Sequence, residues 1–180
     1  MLKWIAVVVV LAVAVAVVVV LVLAASRPDS FRVERTARIQ APPEKVFAYI
    51  EDFHRWPQWS PFEKLDPDMQ RSFSGADKGR GAVYAWAGNS KAGEGRMEII
   101  ESTPATRVNI ALEFIKPFKA SNTAEFTLLP RDGATEVTWA MYGPTPFVAK
   151  IMHLFFSMDS MVGKDFEAGL ANLKRLSEQG

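Results

Sequence analysis

The sequence predicts an α+β domain in which a curved seven-stranded antiparallel sheet surrounds a long C-terminal helix, preceded by one N-terminal transmembrane helix. Three observations lead to this fold class. The first 25 residues contain one charged side chain, Lys3. Seven later segments alternate apolar and polar residues, and no helical pattern separates the last six of them. Residues 147–177 carry an apolar stripe with helical spacing, and a helix can lie in the concavity that such a sheet forms as it twists.

Residues 4–25 are an uncharged stretch of 22 residues, and eleven of them are valine. As a helix this stretch is about 33 Å long, against a hydrocarbon core of about 30 Å. Lys3 and Trp4 lie where a snorkelling cation and an interfacial ring are expected, and Arg27 closes the other end. A cleaved signal peptide is the alternative, but its apolar region is typically about 7–15 residues long. We favour a single-pass membrane anchor over residues 1–26 and leave the orientation of the following domain open.

The overall composition mixes this stretch with an ordinary globular domain. The chain is 49% apolar, carries a formal charge of +1 and has no cysteine. Without residues 1–25 the apolar share is roughly 41%, and the remaining 20 Lys and Arg balance 20 Asp and Glu. A neutral domain lacks the basic face that nucleic-acid binding needs, so no nucleic acid is expected. The absence of cysteine excludes disulfides, thiolate nucleophiles and cysteine-ligated metals.

The globular part begins after a short polar linker at residues 27–30. Residues 31–40 alternate as a half-buried strand, except that Arg35 lies on the apolar side. A proline pair then ends the strand and starts a helix at Pro43. The apolar face predicted for this helix comprises Val46, Phe47 and Ile50.

An aromatic, proline-rich segment at residues 54–62 follows, and its composition predicts a rigid packed loop. Six short strands come next, each bounded by glycine or proline turns. Alternation places one face of each strand inside; Val108, Ile110 and Leu112, for example, share a face. The six strands are predicted at residues 69–74, 81–87, 95–102, 107–115, 121–129 and 135–142.

The last segment is predicted as one amphipathic helix over residues 147–177. Gly163 and Gly169 interrupt it at a cost in helix propensity. We interpret these glycines as points where the helix backbone closely approaches the sheet or faces a hollow beside it.

A space left between this helix and the sheet would be an apolar cavity. The candidate lining residues are large and adaptable, although a solid core built from the same side chains is the alternative. They are Tyr84, Trp86, Met97, Phe114, Phe126, Trp139, Met141, Phe155, Met158 and Met161. Four residues of the aromatic segment are candidates for the rim of the cavity; for Trp56, Trp59 and Phe62 the alternatives are a membrane-facing patch or a plug that packs the neighbouring pair of helices. The four rim candidates are His54, Trp56, Trp59 and Phe62.

Two stretches resemble the SRPBCC superfamily, which includes START lipid-transfer domains, pollen-allergen-like proteins and polyketide cyclase/dehydrase-like proteins. The first stretch, residues 41–47 together with 56–61, resembles the opening of the domain in this superfamily. The second stretch, residues 158–173, is similar to the ending of its membrane-anchored bacterial members. The resemblance covers about residues 31–178, so we treat 31–180 as one START-like domain. It implies a helix-grip fold, which agrees with the order of elements, and a cavity for hydrophobic ligands. It transfers no activity, because one fold hosts many functions.

Catalytic groups are sparse in the chain. No serine lies in a Gly-x-Ser-x-Gly motif, and the two histidines, His54 and His153, are too far apart in sequence for a metal-ligand pattern. We therefore predict no metal and no cofactor, and the catalytic residues, if any, are unknown. An enzyme would need His54 or a carboxylate that faces the cavity, where desolvation raises its pKa. The strand carboxylates considered are Glu94, Glu98, Glu113 and Glu125.

The favoured function is a membrane-tethered module that binds a lipid or other hydrophobic small molecule between the sheet and the C-terminal helix. A polyketide cyclase or dehydratase-like enzyme is one alternative. A structural or partner-binding domain without a ligand is another. The sequence leaves the identity of the ligand and the oligomeric state open.

Overall fold

The computed structural model describes residues 2–179, and its elements follow the predicted order. An apolar helix comes first, and a strand, a short helix and two 3₁₀ helices precede the remaining strands. The elements are α1 Leu2–Ala25, β1 Ser30–Ile39, α2 Pro43–Ile50, the 3₁₀ helices Phe53–Gln58 and Pro61–Lys64, β2 Gln70–Gly75, β3 Ala82–Ala87, β4 Glu94–Thr103, β5 Arg107–Lys116, β6 Ala120–Arg131, β7 Ala134–Pro144, α3 Phe147–Met152 and α4 Met158–Glu178.

The seven strands form one sheet in the order β1-β7-β6-β5-β4-β3-β2. Every neighbouring pair is antiparallel, as short turns between consecutive strands require. The predicted strands lie within two residues of the observed ones at each end. The predicted α+β class is therefore confirmed, with an apolar helix at the N-terminus, a seven-stranded antiparallel sheet and the long helix α4 packed against β1.

The antiparallel order gives the sheet two distinct ends. We call proximal the end where β1 begins, because α1 ends at Ala25, shortly before Ser30. The connections at the proximal end are residues 88–93, 117–119 and 145–157, and those at the distal end are 76–81, 104–106 and 132–133.

The inner face of the sheet holds the residues that alternation placed there. Val108, Ile110 and Leu112 are buried on β5, and Val137 and Trp139 are buried on β7. The helix α2 buries its predicted face, Val46, Phe47 and Ile50, against this core. Both results follow from the strict periods of strands and helices.

Arg35, the exception in the first strand, connects β1 to α4. Its Nε donates to Glu167 Oε1 at 2.6 Å and its Nη1 to Asp159 Oδ1 at 2.7 Å. A Cβ added to Gly163 would lie 2.2 Å from Arg35 Nη2, so this glycine lets the guanidinium cross the helix surface. Arg35 therefore links β1 to α4 through two ion pairs.

The prediction of one helix over residues 147–177 is wrong in one respect. Residues 153–157 separate α3 from α4, because Ser157 adopts an extended backbone and its side chain accepts a hydrogen bond from Ser160 N at 3.0 Å. A serine at this position caps a new helix.

The aromatic segment is also more regular than predicted. It contains the two 3₁₀ helices, and Asp52 caps the first by accepting a hydrogen bond from His54 N at 2.9 Å. Trp56 Nε1 donates to Ile50 O at 3.0 Å, which fixes the segment to the end of α2.

Candidate functional site

A cavity of about 470 Å³ lies between the concave face of the sheet and the first half of α4. Most of the side chains around it are apolar, and the few polar ones belong to the second 3₁₀ helix, the β3–β4 connection, β3 and α4. The lining residues are Trp56, Ser60, Phe62, Glu63, Leu65, Met69, Tyr84, Trp86, Lys91, Ala92, Met97, Leu112, Phe114, Ala124, Trp139, Met141, Met158, Met161, Val162, Asp165 and Phe166.

Of the predicted cavity residues, eight lie in this lining. They are Tyr84, Trp86, Met97, Phe114, Trp139, Met141, Met158 and Met161. Phe126 is fully buried in the core instead, and Phe155 is 69% exposed. Phe155 lies in the interruption between α3 and α4, so helical spacing from α4 does not fix its direction.

The predicted rim residues occupy three different places. Trp56 and Phe62 line the cavity. Trp59 is fully buried, with its ring centroid 5.5 Å from that of Trp139, so it belongs to the solid plug. His54 is exposed and stacks on Phe73 with centroids 4.3 Å apart.

The glycines of α4 mark close approaches, as the sequence suggested. A Cβ on Gly169 would lie 2.6 Å from Trp139 Cζ3, so the indole packs directly on the helix backbone. Trp139 also stacks on Phe166 at a centroid distance of 4.2 Å and an interplanar angle of 9°. Both rings of this stack line the cavity.

A buried hydrogen-bonded group on the cavity wall was not predicted from the sequence. Glu63 Oε1 accepts from the Tyr84 hydroxyl at 2.7 Å, and Oε2 accepts from Arg71 Nε at 2.8 Å. Burial raises the pKa of the Tyr84 phenol, and the Glu63 carboxylate raises it further. The hydrogen bond to Glu63 raises the pKa of Arg71 as well. Tyr84 therefore stays a neutral donor, and the carboxylate charge is balanced by Arg71.

Glu63 escaped sequence reasoning because it lies in a 3₁₀ helix of four residues, Pro61–Lys64, where no periodic pattern identifies an inward side chain. The available signal was its position: Glu63 directly follows the predicted rim residue Phe62, in a helix that begins with Pro61.

None of the four carboxylates considered for catalysis lines the cavity. Glu94 pairs with Lys116 at 2.6 Å and Glu98 with Arg96 at 2.6 Å. Glu125 accepts a hydrogen bond from Arg32, and Glu113 is exposed. His54 is also outside the lining. The groups considered for acid–base chemistry, most of which alternation places on the outer face of the sheet, are therefore not brought together at the cavity.

Two polar atoms of lining residues have no hydrogen-bond partner within residues 2–179. They are Ser60 Oγ and Trp139 Nε1, both buried. A buried polar atom without a partner is costly to the fold. In the same described residues, no cluster of three or more His, Cys, Asp or Glu could hold a metal ion.

Comparisons with known proteins agree with this architecture. A family model described as polyketide cyclase / dehydrase and lipid transport matches residues 30–178. No curated protein matches the sequence.

Several solved structures are similar over most of the chain. A protein from Thermobifida fusca has a TM-score of 0.60 at 18% identity, covering 81% of this chain and 92% of its own. The Aha1 dimer from Colwellia psychrerythraea has a TM-score of 0.58 at 14% identity, covering 83% of this chain and 98% of its own. Ara h 8.0201 has a TM-score of 0.56 at 14% identity, covering 84% and 99%. At these identities the likeness establishes the fold alone.

Proposed function

This chain belongs to the polyketide cyclase / dehydrase and lipid transport family, and we propose that it is a membrane-tethered module that binds a lipid or other hydrophobic small molecule. The observation that carries the proposal is the cavity of about 470 Å³ beneath α4. Ligand pockets typically measure about 300–1,000 Å³ and combine apolar walls with few polar groups.

The lining supports a ligand that is apolar along most of its length. Met97, Met141, Met158 and Met161 contribute flexible side chains that adapt to ligands of different shape. Polar side chains are few in the lining, and Glu63, which accepts a hydrogen bond from Tyr84, can orient a polar end of the ligand. An amphiphile with one polar end fits this division.

The tether rests on α1. The segment Lys3–Ala25 is long and apolar enough to cross a membrane, and its apolar side chains are exposed along nearly the whole helix. An exposed apolar surface of this size is unfavourable in water and favourable in lipid. A helix also satisfies all of its backbone hydrogen bonds internally, as a membrane span requires.

The proposal is tested by a substitution that fills part of the cavity and a matched substitution outside it. Ala124 lines the cavity on β6, whereas Ala111 lies on the outer face of the neighbouring strand β5. Ala124→Leu and Ala111→Leu therefore add the same three carbons inside and outside. The full chain is purified in detergent, and uptake of a fluorescent fatty acid and native mass spectra are measured for each variant.

Wild type and Ala111→Leu are expected to take up the probe and to carry added mass. Ala124→Leu occupies space in the cavity and is expected to bind the probe at least tenfold more weakly, which corresponds to a loss of about 1.4 kcal/mol of binding free energy. Circular dichroism checks that each variant is folded. A bare chain mass and no uptake in wild type would overturn the proposal, and so would equal binding by a folded Ala124→Leu variant.

A further inference from the structure

An exposed apolar surface lies on α3 and the residues that follow it, outside the cavity itself. We call it the α3 patch. Val148 is 71% exposed, Phe155 69% and Phe156 63%. Phe147 and Met152 are also exposed. Several exposed aromatic and aliphatic side chains within ten residues are unusual on a soluble surface, where such patches mark contact sites.

The α3 patch lies beside the end of α1. The helices α1 and α3 are in contact. Thr145 N donates to Asp29 O at 2.7 Å, and Lys150 Nζ donates to Asp29 Oδ1 at 2.5 Å. Phe31 meets the ring of His153 edge-on at 6.4 Å. The linker and β1 therefore hold α3 where the apolar helix ends.

Charge indicates what covers the patch. Between residues 145 and 158 the one Lys, Arg, Asp or Glu is Lys150, which is buried and paired with Asp29. The α3 patch itself therefore offers no free Lys or Arg to anionic lipid headgroups and no charge pattern for a polar partner. Apolar side chains without charge favour the acyl boundary of a bilayer.

The residues that follow the α3 patch in the chain reach the cavity. Met158 and Met161 line the cavity, and Met161 is at the same time 58% exposed. Both follow Phe156 within five residues on α4. Phe118, at another proximal connection, is 72% exposed. The apolar side chains of the α3 patch are thus followed in the chain by two methionines that line the cavity, one of which is also exposed to the surface.

We propose that the α3 patch docks into the surface of the bilayer that α1 crosses, and that the cavity opens there, so that its ligand is a lipid taken directly from that bilayer. This rests on the proposed membrane tether. Docking is driven by burial of apolar side chains, so it occurs on zwitterionic membranes and is insensitive to salt.

The test uses single-cysteine probes, which the cysteine-free chain permits. The variants are Phe156→Cys in the patch, Thr106→Cys at the distal end and Ala14→Cys in the middle of α1. Each full-length variant carries an environment-sensitive fluorophore and is reconstituted into phosphatidylcholine vesicles. Quenching by nitroxide-labelled lipid and by aqueous iodide is measured at low and high salt.

The Phe156 label is expected to be quenched by nitroxide lipid and protected from iodide at both salt concentrations, and the Thr106 label to behave in the opposite way. A Phe156 label that is open to iodide while the Ala14 label lies in hydrocarbon would overturn the docking proposal and leave the tether intact. An Ala14 label in water would overturn the tether. A Phe156 label shielded from both quenchers would indicate a second copy of the chain on the patch and also overturn docking.

A second measurement tests the route of the ligand. Phe155→Ser with Phe156→Ser is compared with Ile100→Ser with Leu129→Ser, which removes exposed apolar side chains from β4 and β6. Uptake of a fluorescent phospholipid from the host vesicles is expected to slow by about tenfold or more in the patch variant only. Equal rates in the two variants, both folded by circular dichroism, would overturn the proposed route.

Discussion

Two regions of the same interior are built from similar side chains and differ in how they are filled. The packed region lies beside α2 and the first 3₁₀ helix, where the fully buried rings of Trp59 and Phe126 are 6.0 Å apart and Trp56, at the border with the cavity, lies 5.0 Å from Trp59. The hollow region lies under the first half of α4, where Met97 and Phe114 border the cavity.

Adjacent residues on paired strands can belong to different regions. Phe126 on β6 is paired with Trp139 on β7, and their rings stack at 5.0 Å. Phe126 is fully buried, whereas Trp139 borders the cavity. An apolar inner face therefore does not decide whether an interior is solid. What covers the face differs between the two regions: Trp56 and Trp59 pack their rings on Phe126, whereas the start of α4 presents Met158, Met161 and Val162 to the cavity.

The largest effect that separates the two regions is expected from tryptophan truncation. Trp59→Ala removes a fully buried ring and its hydrogen bond from Nε1 to Tyr49 O, so it is expected to cost about 3–5 kcal/mol of unfolding free energy. Trp86→Ala enlarges an existing cavity and is expected to cost less than half as much. Urea unfolding of the full chain in micelles, followed by far-ultraviolet circular dichroism, measures both. Equal losses would contradict the distinction between regions.

The next effect concerns the two glycines of α4. Gly169→Ala drives a methyl group into Trp139, which is held rigidly between Phe126 and Phe166, so about 1–3 kcal/mol of stability is expected to be lost. Gly163→Ala meets only the end of the Arg35 side chain, and the gain in helix propensity, about 1 kcal/mol, offsets the displacement.

Thermal unfolding of the two alanine variants checks this ranking. A larger loss for Gly163→Ala than for Gly169→Ala would show that the ion pairs of Arg35, rather than the Trp139 contact, hold α4 in place.

The smallest effect is a pH dependence at the start of α4, beside the hollow region. Arg35 holds the pKa of the Asp159 carboxyl below its usual value of 3.8. A lowered folded-state pKa means that the pair stabilises the fold above the unfolded pKa and that this contribution is lost as pH falls through the folded value.

Asp159→Asn is therefore expected to lower the melting temperature at about pH 6, and the difference from wild type is expected to shrink toward about pH 2 as pH falls through the lowered folded-state pKa of the Asp159 carboxyl. Melting curves of both proteins across this range provide the measurement. A difference that persists undiminished to the acid end would contradict the role of the ion pair.

The sequence predicted the sheet well because alternation is a local property. The inner faces of β5 and β7 follow directly from a period of two residues. The interruption between α3 and α4 was missed because apolar residues continue at helical spacing across it. Ser157 interrupts the helix because its backbone is extended, and the spacing of apolar residues does not reveal a change in backbone conformation at one residue. Phe155 was placed inside for the same reason.

The site was predictable where strands and the regular part of α4 build it, as for Tyr84, Met97 and Met161. Glu63 was missed because its direction depends on Tyr84 and Arg71, which come from strands that follow it in the chain. The roles of Trp56 and Trp59 stayed open for a similar reason: both are aromatic, both are buried, and only three-dimensional packing separates the lining residue from the plug.

The strand order has a consequence for how the protein is made. β1 pairs with β7, and Ser30 lies opposite Pro144, so the first strand acquires its neighbour only after more than a hundred further residues have been synthesised. Contacts this distant in sequence form slowly and late. During synthesis α1 and β1 leave the ribosome before the other strands, and the backbone hydrogen-bonding groups at the edge of β1 stay unpaired until β7 has been made. Maturation of this domain is therefore completed next to its own N-terminal helix, and truncation anywhere before β7 leaves that edge open to other chains.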